Sequence, residues 1–222
     1  FTNGRGKKQV TAAPNGLADR VENGKLKYDF DVARGKELLK KAGYPEGKGL
    51  PLLTLDMRGS DSTSRQLGEF ITKQLAQINV PLNVVYNTFP AFLEKSKQGA
   101  LQISYGGWQL DYPDVENVYQ LLYGKNVAPG PNDANYDVPE FNQLYEKMAE
   151  MDPGATRAKL IKQMDDLVQE DVPWAMGFYR DEYTLYQGWL KNYKGSGFIR
   201  DNYKYMRVDK SPNGDGKKVA AN

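Results

Sequence analysis

Residues 53–105 alternate between strand-like and helix-like patterns, and this alternation restricts the fold more than any other feature of the chain. Apolar side chains recur at every second position in three short segments, which is the period of a half-buried strand. Two segments with helical spacing lie between them. Strands and helices joined by short connections favour right-handed parallel crossovers, so the pattern predicts an α/β lobe. The strand positions are Leu53, Leu55 and Met57, then Leu82, Val84 and Tyr86, then Leu101, Ile103 and Tyr105; one helix follows Asp61 and Ser62, and another spans 91–97.

Helices are also predicted on both sides of this region, over 31–42, 138–151 and 156–169. Asp29 or Asp31 suits the cap of the first helix, and Gly43 suits its end. Its apolar side chains are expected to face inward; these are Val32, Leu38, Leu39 and Ala42. Asp137-x-x-Glu140 has the spacing of a capping box for the second. An apolar stripe indicates the third.

The run Gly106-Gly107-Trp108-Gln109-Leu110-Asp111-Tyr112-Pro113-Asp114 closes the third predicted strand and opens a helix-like segment at 115–122. It brings an aromatic ring and two carboxylates to the carboxyl end of a strand, where open α/β sheets bind ligands. A carboxylate there binds an ammonium group, but an aspartate just before a helix also caps it. We favour Asp114 as the cap and Asp111 as the ligand contact. The two also have the composition of a glycoside hydrolase pair, although a loop spacing of this kind fixes no separation.

The neighbours of these aspartates have two interpretations each. Trp108 either walls a pocket or belongs to the core. Gly106 and Gly107 either let a ligand backbone approach the strand or mark a bulge. Tyr105 is a weaker ligand-binding candidate, because its alternation with Ile103 points it toward the face of core residues.

Composition excludes several classes of function. The chain has no histidine and no cysteine, so Ser-His-Asp, Cys-His and H-E-x-x-H chemistries are impossible within it. The net charge is only +2, and no basic cluster has interleaved aromatics, which makes nucleic acid an unexpected partner. No apolar run is long enough to span a bilayer. Nucleotide-binding fingerprints are absent from the sequence, and no cofactor or metal is predicted.

Several segments together resemble the peptide-binding family (family 5) of extracytoplasmic solute-binding proteins, the capture subunits of ABC importers. Residues 28–45 are similar to the family's YDPxKAxxLLxxAGYP helix, with Phe30 in place of proline. The resemblance also includes GW-x-x-DYPD at 107–114, Tyr136 with Pro139-Glu140-Phe141, and Asp152, Arg157 and Glu170-Asp171-Val172-Pro173. Asn142 stands where the family often has aspartate.

The resemblance implies a bilobal protein that closes about a hinge on its ligand and delivers it to a permease. Asp111 would receive the α-amino group of a short peptide or another amine-bearing solute, with Trp108, Gly107, Gly106 and Tyr105 beside it. It also implies an extracytoplasmic location and no enzymatic activity.

Family members are much longer, and this chain begins at Phe1 without an initiator Met or signal segment. We therefore expect a fragment that lacks the amino-terminal lobe. The expected division is 1–27 as loop and hinge region, 28–180 as the carboxyl-terminal lobe, 181–210 as a segment returning to the missing lobe, and 211–222 as a flexible tail. The hinge is predicted near 178–182. Extended structure is predicted at 174–178, 184–186 and 203–206, with 183–222 poorly packed unless another chain completes its sheet.

The sequence leaves one alternative function of a different class. The chain would be a stand-alone interaction module that uses its exposed half-cleft for a protein partner, marked by an apolar patch around Trp108, Trp174 and Trp189. An enzyme is the third hypothesis, and the absence of histidine counts against it.

Overall fold

The structure, a computed structural model, describes residues 4, 6–22, 24–181, 183–195 and 202–209. The strands are β1 (Gly6–Lys8), β2 (Leu53–Met57), β3 (Leu82–Tyr86), β4 (Ile103–Tyr105), β5 (Phe178–Arg180), β6 (Leu190–Lys191) and β7 (Arg207–Val208). The α-helices are α1 (Val32–Lys41), α2 (Ser62–Ala76), α3 (Phe89–Lys97), α4 (Glu116–Tyr119), α5 (Pro139–Ala149) and α6 (Ala155–Asp171). Short 3₁₀ turns lie at Pro45–Gly47, Gln120–Leu122, Gly124–Asn126 and Asn202–Tyr205.

A three-stranded parallel sheet forms the α/β unit, and its strand order is β3-β2-β4. β2 pairs in parallel with both neighbours, so that Met57 is opposite Tyr86 on one side and Tyr105 on the other. The predicted order of strand, helix, strand, helix and strand is confirmed. All three strands consequently end at the same edge of the sheet.

The main apolar core lies among α4, α5 and α6, not on the sheet. Helical spacing puts Phe141 and Met148 of α5 opposite Ile161 and Met164 of α6, and all four are fully buried. Phe141 also meets an edge-on tyrosine, Tyr136, at 5.4 Å between ring centroids. Burying side chains of this size contributes about 1.5–3 kcal/mol each. This helical layer supports the loop that follows β4.

The amino-terminal segment is more ordered than the sequence predicts. Residues 1–27 are predicted as loop, yet β1 pairs antiparallel with β5 and residues 11–13 are buried. The backbone N–H of Ala12 donates to the Asp165 carboxylate on α6 at 3.0 Å, and the Tyr179 hydroxyl of β5 donates to the carbonyls of Thr11 and Ala13. These long-range bonds hold a segment that has no apolar periodicity of its own.

Three local predictions are wrong. The capping box is not formed, because Val138 is the boundary residue of α5 and the Asp137 carboxylate instead accepts a bond from the Asn142 amide. Residues 203–206 are largely a 3₁₀ turn rather than a strand, and 184–186 form no strand. The apolar side of α1 is not buried, although Asp31 caps that helix by accepting from the N–H of Arg34 at 2.9 Å.

The segment after β5 is extensively exposed. Leu185 is 96% exposed, and Tyr183, Trp189 and Tyr203 also face solvent. β6 and β7 pair only with each other among the described residues. Glu182 of the predicted hinge and the whole predicted tail, 211–222, lie outside the described residues.

Candidate functional site

The carboxyl edge of the parallel sheet brings Arg58, Asn87 and Gly106 together, because each directly follows a strand that ends in register. The Arg58 guanidinium crosses this edge. Its Nη1 donates to the carbonyl of Gly107 at 2.7 Å, and its Cζ atom lies 5.0 Å from the centroid of the Phe89 ring. Arg58 therefore fixes the first turn of the loop after β4 and puts a permanent positive charge at the edge.

Trp108 stands at the surface of this loop. The side chain is 47% exposed, so the alternative that it is a core residue is wrong. Its indole N–H donates to the Oδ1 atom of Asn117 at 2.9 Å. The indole is thus held at its polar edge while much of the ring stays open to solvent.

The two glycines differ in their surroundings. A Cβ atom at Gly107 would have no heavy atom within 4 Å, whereas one at Gly106 would lie 3.6 Å from the Arg58 side chain. Both residues are exposed. Tyr105 before them is half-buried, and burial raises the pKa of its hydroxyl. The space beside Gly107 is therefore open.

Asp111 is exposed at the far end of the loop, and its backbone N–H donates to Asn117 Oδ1 at 3.0 Å. Asp114 has a different environment. Its Oδ1 atom accepts the N–H of Glu116, the first residue of α4, at 2.8 Å, and it also pairs with the Arg157 guanidinium. Val115, rather than the predicted Asp114, is the boundary residue of the helix, although the Asp114 side chain still accepts the first-turn N–H of Glu116.

These contacts weaken the hydrolase hypothesis. Asp114 is held by a helix terminus and by a buried arginine, so it is already committed to the structure of the loop. A glycoside hydrolase needs both carboxyl groups to face the bond that is broken. Of the two aspartates, only Asp111 is exposed.

A carboxylate between two tyrosines holds the middle of the loop. The Tyr112 and Tyr145 hydroxyls each donate to the Glu116 side chain, one to each oxygen. Burial, followed by the bond to Glu116, raises the pKa of both hydroxyls, so both remain protonated donors at neutral pH. Tyr145 also stacks on Tyr123 at 4.4 Å between centroids, which ties the loop to α5.

Sequence reasoning missed Arg58 and Asn117. Arg58 could have been found, since the predicted parallel sheet already requires the residue after the first strand to lie at the edge that carries the glycines. Asn117 has no such signal, because its role depends on a side chain that turns back onto the preceding loop.

Elsewhere, residues 4–209 with the gaps stated above contain neither a cluster of three acidic side chains suited to a metal ion nor a helix that could cross a membrane.

Comparison with known proteins agrees with this architecture. The model of the family "Bacterial extracellular solute-binding proteins, family 5 Middle" matches residues 1–130. The chain therefore belongs to the family 5 extracellular solute-binding proteins. Members of this family serve ABC transporters as periplasmic solute-binding proteins, as the sequence resemblance predicts.

Individual relatives carry names for different ligands. The chain is 27% identical to heme-binding protein A of Haemophilus influenzae over 183 residues, which is 82% of the chain and 34% of the relative. It is 25% identical to a dipeptide-binding protein of Pseudomonas aeruginosa, over 78% of the chain and 33% of the relative. The chain thus spans about a third of the length of the curated relatives it matches.

Solved structures share the fold. The chain superposes on the periplasmic binding protein DppA from Helicobacter pylori, in complex with the peptide STSA, with a TM-score of 0.80 and 24% identity, covering 93% of the chain and 40% of DppA. For the oligopeptide-binding protein AppA from Bacillus subtilis, in complex with a nonapeptide, the TM-score is 0.78 with 17% identity, covering 94% of the chain and 44% of AppA. The predicted lobe of a periplasmic binding protein is confirmed.

Proposed function

We propose that this chain is one lobe of a peptide-capturing subunit of an ABC importer, and that the carboxyl edge of its parallel sheet forms one wall of the ligand cleft. The observation that carries the proposal is the loop after β4, which presents an exposed carboxylate, an open backbone at Gly107 and a half-exposed indole on one rigid support. A short peptide offers the complementary groups: an ammonium, a polar backbone and side chains.

Asp111 is proposed to receive the α-amino group. It is exposed, and Asn117 fixes its backbone. A carboxylate makes charge-assisted hydrogen bonds with an ammonium, which are about twice as strong as neutral ones. Trp108 supplies apolar surface next to it, and the space at Gly107 suits main-chain pairing with an extended ligand, which tolerates varied side chains.

Arg58 is proposed to complete the ligand specificity of this edge. A guanidinium carries five N–H donors, of which the bond to Gly107 takes one from Nη1. Such a group recognises a carboxylate or peptide carbonyls. Arg58 at this edge and Asp111 farther along the loop after β4 would together complement a ligand that carries both an amine and a carboxylate.

The rest of the cleft is proposed to come from an amino-terminal lobe. The chain spans about a third of its relatives, and the apolar side chains after β5 are exposed as if another layer covered them. Closure of two lobes would exclude water from the Asp111 edge and strengthen its electrostatic contacts. On this proposal the whole protein works outside the cytoplasm and delivers its ligand to a permease.

Calorimetry tests the proposal by comparing the 222-residue chain with a protein that contains both lobes. The chain alone is expected to bind Ala-Ala-Ala weakly or not at all, and the bilobal protein to bind it, with loss of binding in Asp111→Asn. Asp152→Asn, a change at an exposed aspartate before α6, is the matched control. Micromolar or tighter binding by the chain alone contradicts the half-cleft proposal, and equal affinity in Asp111→Asn contradicts the role of Asp111.

The proteins used in this calorimetric test also distinguish two competing functions, heme binding and protein interaction. Hemin in place of the peptide tests the ligand named for the Haemophilus relative, and binding of hemin but not peptide would replace the proposed ligand class. The interaction-module alternative is favoured by the exposure of Trp108 and Trp189, although Trp174 packs against the core. That alternative requires the chain to be a stable monomer that binds a protein partner without an amino-terminal lobe.

A further inference from the structure

Asn117 is the least exposed polar residue near the candidate site. Only 1% of its surface is exposed, and it lies on α4, behind the loop rather than in it. A buried amide is expensive unless its donors and acceptor are satisfied. The partners of this side chain therefore indicate why a polar group is kept at a position where a helix would ordinarily bury an apolar one.

The partners all belong to the loop after β4. Its Oδ1 atom accepts two bonds, from the indole N–H of Trp108 at 2.9 Å and from the backbone N–H of Asp111 at 3.0 Å. One side chain thus joins an aromatic ring and a backbone amide within four consecutive residues.

We propose that Asn117 is the positioning residue of the ligand site, which holds the Trp108 ring and the Asp111 backbone in the geometry that receives a ligand amine. This inference deepens the proposed function and rests on it. Asn117 does not touch the ligand. It acts by fixing the separation between an apolar surface and a carboxylate that otherwise lie on an exposed loop.

The chemistry of the amide explains why other residues are unsuited. Serine is too short to reach both donors, and leucine would leave the indole and backbone N–H groups without an acceptor in a buried place. Aspartate keeps the acceptor oxygens but adds charge next to Asp114. Asparagine supplies a neutral acceptor at this length.

Hydrogen exchange of the chain tests the inference directly. In Asn117→Ala, amides of residues 108–112 are expected to exchange about tenfold faster or more, because opening the loop no longer breaks the bonds to Asn117. Asn132→Ala is the matched control: Asn132 is also fully buried, but it bonds Tyr123 and Tyr136 on another loop. Unchanged exchange at 108–112 in Asn117→Ala, or an equal rise in Asn132→Ala, overturns the inference.

Asn117→Asp keeps the experiment decisive if the alanine variant does not fold. It preserves the acceptor, so residue 111 is expected to keep slow exchange and the Trp108 indole its bonded N–H signal in nitrogen-edited NMR spectra. Loss of both protections in a folded Asn117→Asp variant contradicts the assigned acceptor role.

Affinity separates this inference from the proposed function. In the bilobal protein, Asn117→Ala is expected to weaken Ala-Ala-Ala binding by about tenfold, since a mobile loop must be ordered on binding. Asn132→Ala is expected to leave the affinity unchanged. If the unchanged bilobal protein binds no peptide, the proposed function fails, while the exchange result still decides whether Asn117 fixes the loop.

Discussion

Arg157 joins the amino-terminal segment, α6 and the loop that carries the candidate site. Its side chain is 3% exposed and pairs with Asp114 and Asp19, and its Nε donates to the carbonyl of Met148 at 3.3 Å. Replacement by methionine keeps much of the side-chain volume but leaves two carboxylates without their cation. Removing one partner of a buried ion pair typically destabilises a protein by about 3–5 kcal/mol.

The structure places the expected loss at the low end of that range. The Asp114 side chain is 30% exposed, so water partly replaces the lost cation there, while Asp19 at 11% has less access to water. We expect Arg157→Met to lower the free energy of unfolding by about 3 kcal/mol, and the melting temperature by roughly 6–12 °C for a chain of this size.

Urea unfolding followed by far-UV circular dichroism measures this loss. Lys162→Met is the control on the same helix, because Lys162 forms an exposed pair with Asp166 and should contribute only about 0.3–0.5 kcal/mol. A loss in Arg157→Met no greater than in Lys162→Met would refute the reasoning that the buried arginine compensates both aspartates.

Three further predictions concern a buried carboxyl group, a closely packed glycine and a glycine beside open space. Burial raises the pKa of Asp165, so its favourable contribution is present below the ordinary carboxyl value and is lost as pH rises through the raised pKa. Asp165→Asn should therefore gain stability relative to the parent as pH rises above that ordinary value, and a pH-independent difference in melting temperature would contradict this. Gly124→Ala should destabilise the chain by about 1–3 kcal/mol, because a Cβ atom would lie 2.0 Å from the Asp137 carboxylate; thermal unfolding checks it, and an unchanged melting temperature would refute it. Gly107→Ala should leave the melting temperature unchanged, since the space around Gly107 is open. It should weaken peptide binding in the bilobal protein by about tenfold if a ligand backbone approaches there. Unaltered affinity in calorimetry would exclude that approach.

The sequence predicts the parallel sheet and most helices because their signals are local. Alternation at 53–57 and 82–86 and helical spacing on α5 and α6 each arise within one segment, and their order along the chain limits the topology. The same reasoning puts the Gly106–Asp114 loop after the carboxyl end of the third strand. Asp114 could be favoured over Asp111 as the residue at the helix start because it directly precedes the helix-like segment at 115–122.

The wrong predictions involve residues whose hydrogen-bond partners the local sequence pattern does not specify. Residues 11–13 have no periodicity, yet Ala12 and Ala13 pack in the main core, and Asp165 and Tyr179 supply hydrogen bonds to the segment. The capping box fails because Asp137 bonds Asn142, whose own Oδ1 accepts the N–H of Gly124 at 2.8 Å. An asparagine there both donates and accepts, which aspartate does not do when ionised. Such exchanges of partner are set by tertiary packing and leave no pattern in the sequence.

The central claim is that Asp111 receives a peptide ammonium at the edge of the sheet, and a cycle of four calorimetric titrations tests it most directly. The bilobal protein and its Asp111→Asn variant are each titrated with Ala-Ala-Ala and with the amino-terminally acetylated peptide. Acetylation and Asp111→Asn should each weaken binding by tenfold or more, and together they should lose little beyond either change alone, because both remove the same contact. If the two losses add fully, or if the acetylated peptide binds the parent protein as tightly as the free one, Asp111 does not receive the amine.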